Sequence, residues 1–417
     1  MASHEDQPRP LKVSVVGAGP GGLATALALR RKGHHVNIFE ASPIKTEIGA
    51  GVGIQFNALR VLHVLGFSRG SLRGTDFDGG VVFDGRTGDG TPRPWHVSRS
   101  HEPELHDVFC HRSDLADELL RLAIGEGEGP PVQLHLGRKT VSCDPDAGTI
   151  TLHDGEIVNA DVVIGADGIH SVVRTSIFGH PIKATASGWS CFRCLFDASN
   201  LNEVHELDWV RDGLPGGRVV VSRGGGPFRL FFIYPIQDGA VMNFVAFFTD
   251  PDQDTADWVP TARRADIREK FHDFHPKFLR ILDLPPAGPI LKWQLRTMPL
   301  LPTWIRGHAA LLGDAAHATL PLLGQGAGVA IEEAGALGAL LPLGTMREEV
   351  PARLQAYQIL RKERGDFINM ESVAEAADPE KRGLYLRSRE IQATLFEHDA
   401  IKIAEEYLAT HSSMVTG

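Results

Sequence analysis

Gly17, Gly19 and Gly22 of GAGPGG have the G-x-G-x-x-G spacing that lets a backbone wrap a phosphate. The first glycine allows the tight turn, the second lets a pyrophosphate approach the main chain, and the third lets helix and strand pack closely. A helix starting there offers free N–H groups and the positive end of its dipole to an anion. Glu40 follows roughly twenty residues on, where a carboxylate accepts hydrogen bonds from ribose hydroxyls. A carboxylate there repels a 2′-phosphate, so the loop suits NAD or the adenosine half of FAD rather than NADPH.

A second glycine-rich stretch, GDAAHATLPLLGQGAGVAIEEA, covers residues 313 to 334. Asp314 closes an apolar run, and the glycines from Gly324 to Gly328 lead into a helix. Open α/β sheets bind ligands beyond the carboxyl ends of their strands, so two such turns on one sheet face one ligand. An extended FAD needs contacts well beyond one loop. Asp314 then suits a ribityl hydroxyl, and the N–H groups near Gly326 and Ala327 suit the flavin's pyrimidine edge. The competing reading is a glycine-rich crossover that binds nothing.

These residues need elements to hold them. KVSVV, the glycine loop, LATALALRRKG and HVNIFE make a full βαβ unit, with Gly33 as the helix stop. In the glycine-rich stretch 48 to 67, Asn57 is placed to cap a helix whose Leu59, Leu62 and Leu65 line one side. HRSDLADELLRLAIGEG reads as an amphipathic helix started by Ser113, with Leu115, Leu119 and Leu122 at helical spacing. VSCDPDAGTITLHDGEIV alternates like a meander, with Asp154-Gly155 as its turn. ADVVIGADGIHSVVR reads as buried strand, sharp turn and helix start. From about 180 to 295 the texture becomes strand-like runs divided by Gly and Pro, then HAALLGDAAH returns to a strand-to-loop pattern. Helical patterns dominate from about 350.

Composition excludes several classes. Acidic residues outnumber basic ones, 52 to 42, which argues against nucleic acid as the main partner. Four cysteines in 417 residues give no disulfide framework. Cys191 and Cys194 form a single C-x-x-C with no second pair, which favours packed thiols over a metal site. The opening residues lack an apolar signal core, no run reaches the ~20 apolar residues of a membrane span, and the last four match no lipidation or peroxisomal motif. The expected compartment is the cytosol.

GAGPGG with Glu40, GADGIHSVVR at 165 to 174, and the stretch 313 to 334 together resemble the single-component (class A) FAD-dependent aromatic monooxygenases. FEHDA at 396 to 400 and GAGVGIQFNALRVL resemble the salicylate-hydroxylase-like branch, which includes fungal enzymes that tailor natural products. The resemblance implies an α/β fold: a Rossmann-like FAD-binding domain of the para-hydroxybenzoate-hydroxylase type, an inserted, mostly β substrate domain, and C-terminal helices. Residues 10–80, 105–180 and 296–345 are then the FAD-binding domain, 81–104 and 181–295 the substrate domain, and 346–417 the helical end.

The resemblance also implies roles. Gly17, Gly19, Gly22, Glu40, Gly53, Arg112, Asp167, Asp314, Gly326 and Ala327 match FAD contacts, and Pro321 lies near the flavin's reactive edge. Gly168 joins Asp167 in an element tied to both FAD and the reducing nicotinamide. His317 is structural rather than catalytic, and Glu333 keeps the charge where an Asp is usual. Arg193 and Tyr234 match an arginine and a tyrosine that bind phenolate or carboxylate substrates in some relatives, and alternation in FRLFFIYPI puts Leu230, Phe232 and Tyr234 on one face. The implied cycle uses NADH or NADPH to reduce FAD, adds O2 at the flavin's C4a carbon as a hydroperoxide, and hydroxylates an electron-rich aromatic ring. No second complete Rossmann unit appears, so the nicotinamide binds transiently. A metal site is not expected, and the assembly is a monomer or homodimer. Open at this point are decarboxylative or dearomatising hydroxylation, oxidation of an indole, and a reductase or oxidase without oxygen insertion.

Overall fold

The computed structural model describes residues 9–44, 50–94, 102–202, 204–213, 216–222, 227–251, 261–378 and 388–415. The start of the chain read above for a leader, and residues 48 and 49 of the glycine-rich stretch, lie outside them.

One sheet has six strands in the order Ile305–Arg306, Ala309–Leu311, Val162–Gly165, Lys12–Val16, His35–Phe39 and Gln133–His135. All neighbours run parallel except the edge pair at Ile305–Arg306. Parallel strands are covered on both faces, which is why Val13 to Val16 and Val162 to Gly165 are buried without alternation. Helix Pro20–Arg31 starts on a proline and stops before Gly33, whose φ of 91° suits glycine. It packs on helix Gly326–Leu340, apolar nearly all round. Small residues set that approach: a Cβ on Gly338 would stand 3.0 Å from Ala28, and one on Gly21 would stand 3.0 Å from Ala330. The meander forms as read, from Thr140–Asp144, Thr149–Leu152 and Ile157–Asn159.

The other large sheet has seven strands in the order Leu291–Thr297, Thr185–Asp197, Val241–Thr249, Arg229–Ile236, Gly217–Val221, Gly79–Asp84 and Gly90–Pro94. Its two faces have different jobs. Phe192, Phe231, Phe244 and Phe248 turn to one side and build a separate core with Phe271 and Phe278. The alternate residues, including Leu230, Phe232 and Tyr234, turn to the side where Phe109 and Leu320 pack. Strand period also separates the two thiols: Cys191 lies with the second set and Cys194 in the phenylalanine core. Burial pushes both thiols up, Cys194 to about 12. No group of three or more metal-ligating side chains occurs among the described residues, and no helix there is long and apolar enough to cross a membrane.

Two helix starts differ from the sequence reading. Asn57 sits inside helix Phe56–Val64, fully buried, and the Phe56 N–H is taken instead by Asp107 Oδ1 at 2.7 Å. Ser113 sits inside helix Arg112–Ile124, where the cap is the His111 ring accepting from the Ser113 N–H. In both cases the acceptor is not a local Asn or Ser oxygen, so a local capping rule misplaces it.

Helices Val350–Ala377 and Ala400–Val415 send Leu354, Tyr357 and Ala404 into the core of the parallel sheet. They also bury charge. Glu332 is fully buried and accepts from Arg361 and from Arg364 Nε and Nη2, each of the latter at 2.7 Å. Burial alone raises a carboxylate, but Arg361 and Arg364 outweigh it and hold Glu332 at about 2. Arg361 also donates to His398 Nε2 at 2.6 Å, and burial together with the two guanidiniums depresses that ring to about 4. Both depressed groups carry stability that is whole above their ordinary values, 6.5 for His398 and 4.5 for Glu332. It is lost as pH falls through 6.5 to about 4 and then 4.5 to about 2, at most ~3 kcal/mol from each. Melting temperature should therefore drop steadily below neutrality, and His398→Gln should flatten the upper part of that profile.

Candidate active site

Because Lys12–Val16, Val162–Gly165 and Ala309–Leu311 are parallel neighbours, the loops after them leave one edge of one sheet. GAGPGG, GADG and GDAAH therefore meet there, which joins the two glycine turns into one site.

In the first loop Gly17 has φ 103°, and a Cβ would stand 2.4 Å from the Ala166 carbonyl oxygen of the second loop. A Cβ on Gly22 would stand 2.1 Å from the Gly17 carbonyl oxygen. At Gly19 a Cβ would meet nothing within 4 Å, so this residue borders an open cradle. Gly19 is also the cap position of helix Pro20–Arg31, with no side chain on the free N–H groups. Glu40 Oε2 accepts from the Ala18 N–H at 2.9 Å and Oε1 from the Ser42 N–H at 2.8 Å, which fixes the carboxylate beside the cradle.

In the second loop Asp167 Oδ2 accepts from the Val172 N–H at 2.7 Å, while Oδ1 is buried with no partner among the described residues. Burial raises its pKa. Arg174, buried, donates to the carbonyls of Ile169, Ile182 and Ala315, tying this loop to the third. In the third loop Gly313 has φ 59°, and Asp314 is exposed while Ala315, Ala316 and His317 are buried. Glu333 accepts from the Gly313 N–H at 2.8 Å and pairs with His317 Nε2 at 2.6 Å. Burial lowers the His317 pKa, but Glu333 beside it wins and raises it. His317 thus braces the turn from behind. Helix Gly326–Leu340 starts with no side-chain cap, leaving the N–H groups around Gly326 and Ala327 available.

Strand Gly51–Ile54 adds Gly53, opposite Phe109 on Val108–His111. Arg112 follows that strand and is exposed, with its N–H on the Ala50 carbonyl at 3.0 Å. These features fit FAD: an open cradle at Gly19, a fixed carboxylate at Glu40, an orphaned Asp167 oxygen, an exposed Asp314 and an uncapped helix start.

The seven-stranded sheet adds its own polar groups. Cross-strand registers put Arg193 level with Val245 and Phe232, and Asn243 level with Tyr234 and Leu195, all on one face. Arg193 pairs with no carboxylate among the described residues, and its Nε is buried without an acceptor. Tyr234 is buried and stacked on Phe109 with ring centroids 4.1 Å apart. Burial raises the phenol far above its ordinary value, against the pull of the nearby Arg193 charge. Asn243, not singled out from the sequence, accepts from the Gly51 N–H at 2.9 Å and leaves its Nδ2 buried with no partner among the described residues. Its one sequence signal was a lone amide inside the apolar run VMNFVAFF. A Cβ on Gly51 would stand 2.8 Å from the Tyr234 hydroxyl, so glycine there lets the flavin-side strand approach this face.

A parallel sheet that gathers one phosphate-type turn and two carboxylate-bearing turns at one edge, with a polar-studded β face beside them, is the arrangement of an FAD-dependent enzyme. Residues 10–372 match the family model described as FAD binding domain, and the chain belongs to that family. It is 40% identical over 422 residues to hispidin-3-hydroxylase of Neonothopanus nambi, covering 98% of each chain. It is 30% identical to a salicylate hydroxylase of Pseudomonas putida, covering 84% of this chain and 81% of that one. A solved salicylate hydroxylase substrate complex superposes with a TM-score of 0.76 at 26% identity, over 95% of this chain and 97% of that one. CtdE in complex with FAD and a substrate shares the fold, with a TM-score of 0.81 at 23% identity over 98% and 100% of the two chains. The protein is an FAD-dependent monooxygenase that hydroxylates an aromatic compound, with NAD(P)H as the reductant of its class.

Proposed function

We propose that the substrate is a phenol bound as its phenolate on the face that carries Arg193, Tyr234 and Asn243. The observation behind this reading is the Arg193 guanidinium, which meets no carboxylate among the described residues and whose Nε is buried without an acceptor there. A half-buried cation without a counterion is costly to hold, and an anionic ligand offsets that cost. At ~4 Å and an effective dielectric of ~20 such a charge favours the anion by ~4 kcal/mol before desolvation is counted, which draws a phenol toward its ionised form. Tyr234 and Asn243 orient the ring by hydrogen bonds, and Phe232, Val245 and Leu230 keep water away.

FAD, when bound, supplies the activation of O2 and the transfer of one oxygen atom. Gly19 and the start of helix Pro20–Arg31 hold its pyrophosphate, Glu40 a ribose, Asp314 the ribityl chain, and the N–H groups at Gly326 and Ala327 the pyrimidine edge. Arg112, Gly53 and Asp167 complete the contacts. NADH or NADPH binds transiently, and the enzyme works in the cytosol as a monomer or homodimer.

Hispidin, the compound in the name of the 40% identical relative, is the first substrate to test. We expect it to accelerate NAD(P)H consumption and to gain one atom from labelled O2, with salicylate as the comparison. Fast consumption with label only in peroxide or water would leave a reductase or oxidase. Equal indifference to every phenol tried would remove the phenolate reading.

A further inference from the structure

A buried line of amides runs from Glu332 to the mouth of the flavin seat, and the chemistry above does not use it. Asn57 Nδ2 donates to Glu332 Oε1 and, at 2.9 Å, to Gln325 Oε1. Gln325 Nε2 donates to Gln55 Oε1 at 3.0 Å. All four residues are at most 3% exposed. Gln325 occupies the cap position of helix Gly326–Leu340, yet its side chain turns inward to make these bonds instead of capping.

Each amide in this line can point only one way. Arg361 and Arg364 can only donate, and they hold Glu332 as an acceptor-only carboxylate. Asn57 must turn its Nδ2 toward Glu332, because the reverse would set two acceptors face to face. The second Nδ2 hydrogen then requires Gln325 to present Oε1. That choice sends Gln325 Nε2 toward Gln55, which must answer with its own Oε1. Gln55 Nε2 is what remains at the far end. It lies between strand Gly51–Ile54 and the turn at Gly324, the two segments placed at the pyrimidine edge: a Cβ on Gly53 would stand 3.3 Å from it, and one on Gly324 2.9 Å. No acceptor for this N–H occurs among the described residues.

We infer that Gln55 Nε2 donates a hydrogen bond to the pyrimidine end of bound FAD, and that Glu332, acting through Asn57 and Gln325, fixes this polarity. Gln55 is then a cofactor contact, and the other three are positioning residues. The inference rests on the flavin seat described above. Reduction adds negative charge to the pyrimidine ring, and a donor there favours the more anionic form. The line thus raises the readiness of the flavin to accept hydride.

The midpoint potential of the bound flavin, measured anaerobically on the holoenzyme, tests this. We expect Gln55→Leu to weaken the preference for reduced over oxidised flavin roughly tenfold, ~30 mV for a two-electron couple. Gln325→Glu places acceptors on both sides, so Gln55 must turn its Nε2 inward and the donor at the flavin disappears. In that background Gln55→Leu should lower the potential no further, because it removes an acceptor and not a donor. The added charge of Gln325→Glu cancels in this double-mutant cycle. An unchanged potential in yellow Gln55→Leu protein, or an equal loss in both backgrounds, would overturn the inference. If Gln55→Leu does not hold flavin, Gln55→Met, which also lacks a donor, is read the same way. A flavin-free preparation of the unaltered chain would instead overturn the seat itself.

Discussion

Arg193→Met is expected to keep its flavin and to lose substrate-dependent hydroxylation by roughly two to three orders of magnitude. Arg193 stands on the face proposed to bind substrate, without a carboxylate partner among the described residues. Methionine preserves much of the volume and removes the charge. A charge-assisted hydrogen bond contributes ~1.5–3 kcal/mol, and a phenolate left buried without its cation costs ~3–5 kcal/mol. The substrate then binds as the neutral phenol, a weaker nucleophile. Reduced flavin should still react with O2, so the fraction of NAD(P)H ending as hydrogen peroxide should rise. The measurement is the ratio of product to NAD(P)H consumed, alongside the flavin absorbance of the purified variant. Wild-type coupling and rate would take Arg193 out of the active site.

Glu40→Lys is expected to yield a largely colourless protein. The Glu40 carboxylate accepts the Ala18 and Ser42 N–H groups and so shapes the rim of the phosphate cradle. Lysine has no acceptor, so both N–H groups lose their partner and the ribose hydroxyls lose theirs. Loss of several such bonds, at ~1 kcal/mol or more each, predicts at least a hundredfold weaker affinity for FAD. Flavin-to-protein ratio after purification and titration of the apoprotein with FAD measure it. Glu40→Gln should fall between the two proteins, because one amide oxygen still accepts. A normally yellow Glu40→Lys protein would remove the ribose assignment.

Both experiments ask about residues that sequence reading had picked out, and the reason they were legible is local. Gly17, Gly19 and Gly22 are readable because their chemistry is a property of the backbone at each position: one turn, one open approach, one close packing. Glu40 is readable because a βαβ unit fixes how far it lies from the first loop. Leu230, Phe232 and Tyr234 are readable as one face because strand period is two. The same period, applied to Cys191 and Cys194, separates the thiols to opposite sides of the sheet.

Other positions depended on partners far along the chain. The cap of helix Phe56–Val64 comes from Asp107, fifty-one residues away, and that freed Asn57 for the buried amide line. Arg174 reads as the end of a motif, but one of its carbonyl partners, Ala315, lies 141 residues away. Asn243 reads as one odd amide in an apolar strand until the Gly51 N–H appears beside it.

By itself, then, the sequence determined the dinucleotide loop, the strand and helix periods, and which residues carry charge or glycine freedom, because each of these is set within a few residues. Only the tertiary structure decided that three loops share one sheet edge, that Arg193 meets no carboxylate among the described residues on the face beside them, and that Gln55 ends its line with an N–H. Strand order and the direction of a buried amide are set by neighbours distant in the chain, and no local period encodes them.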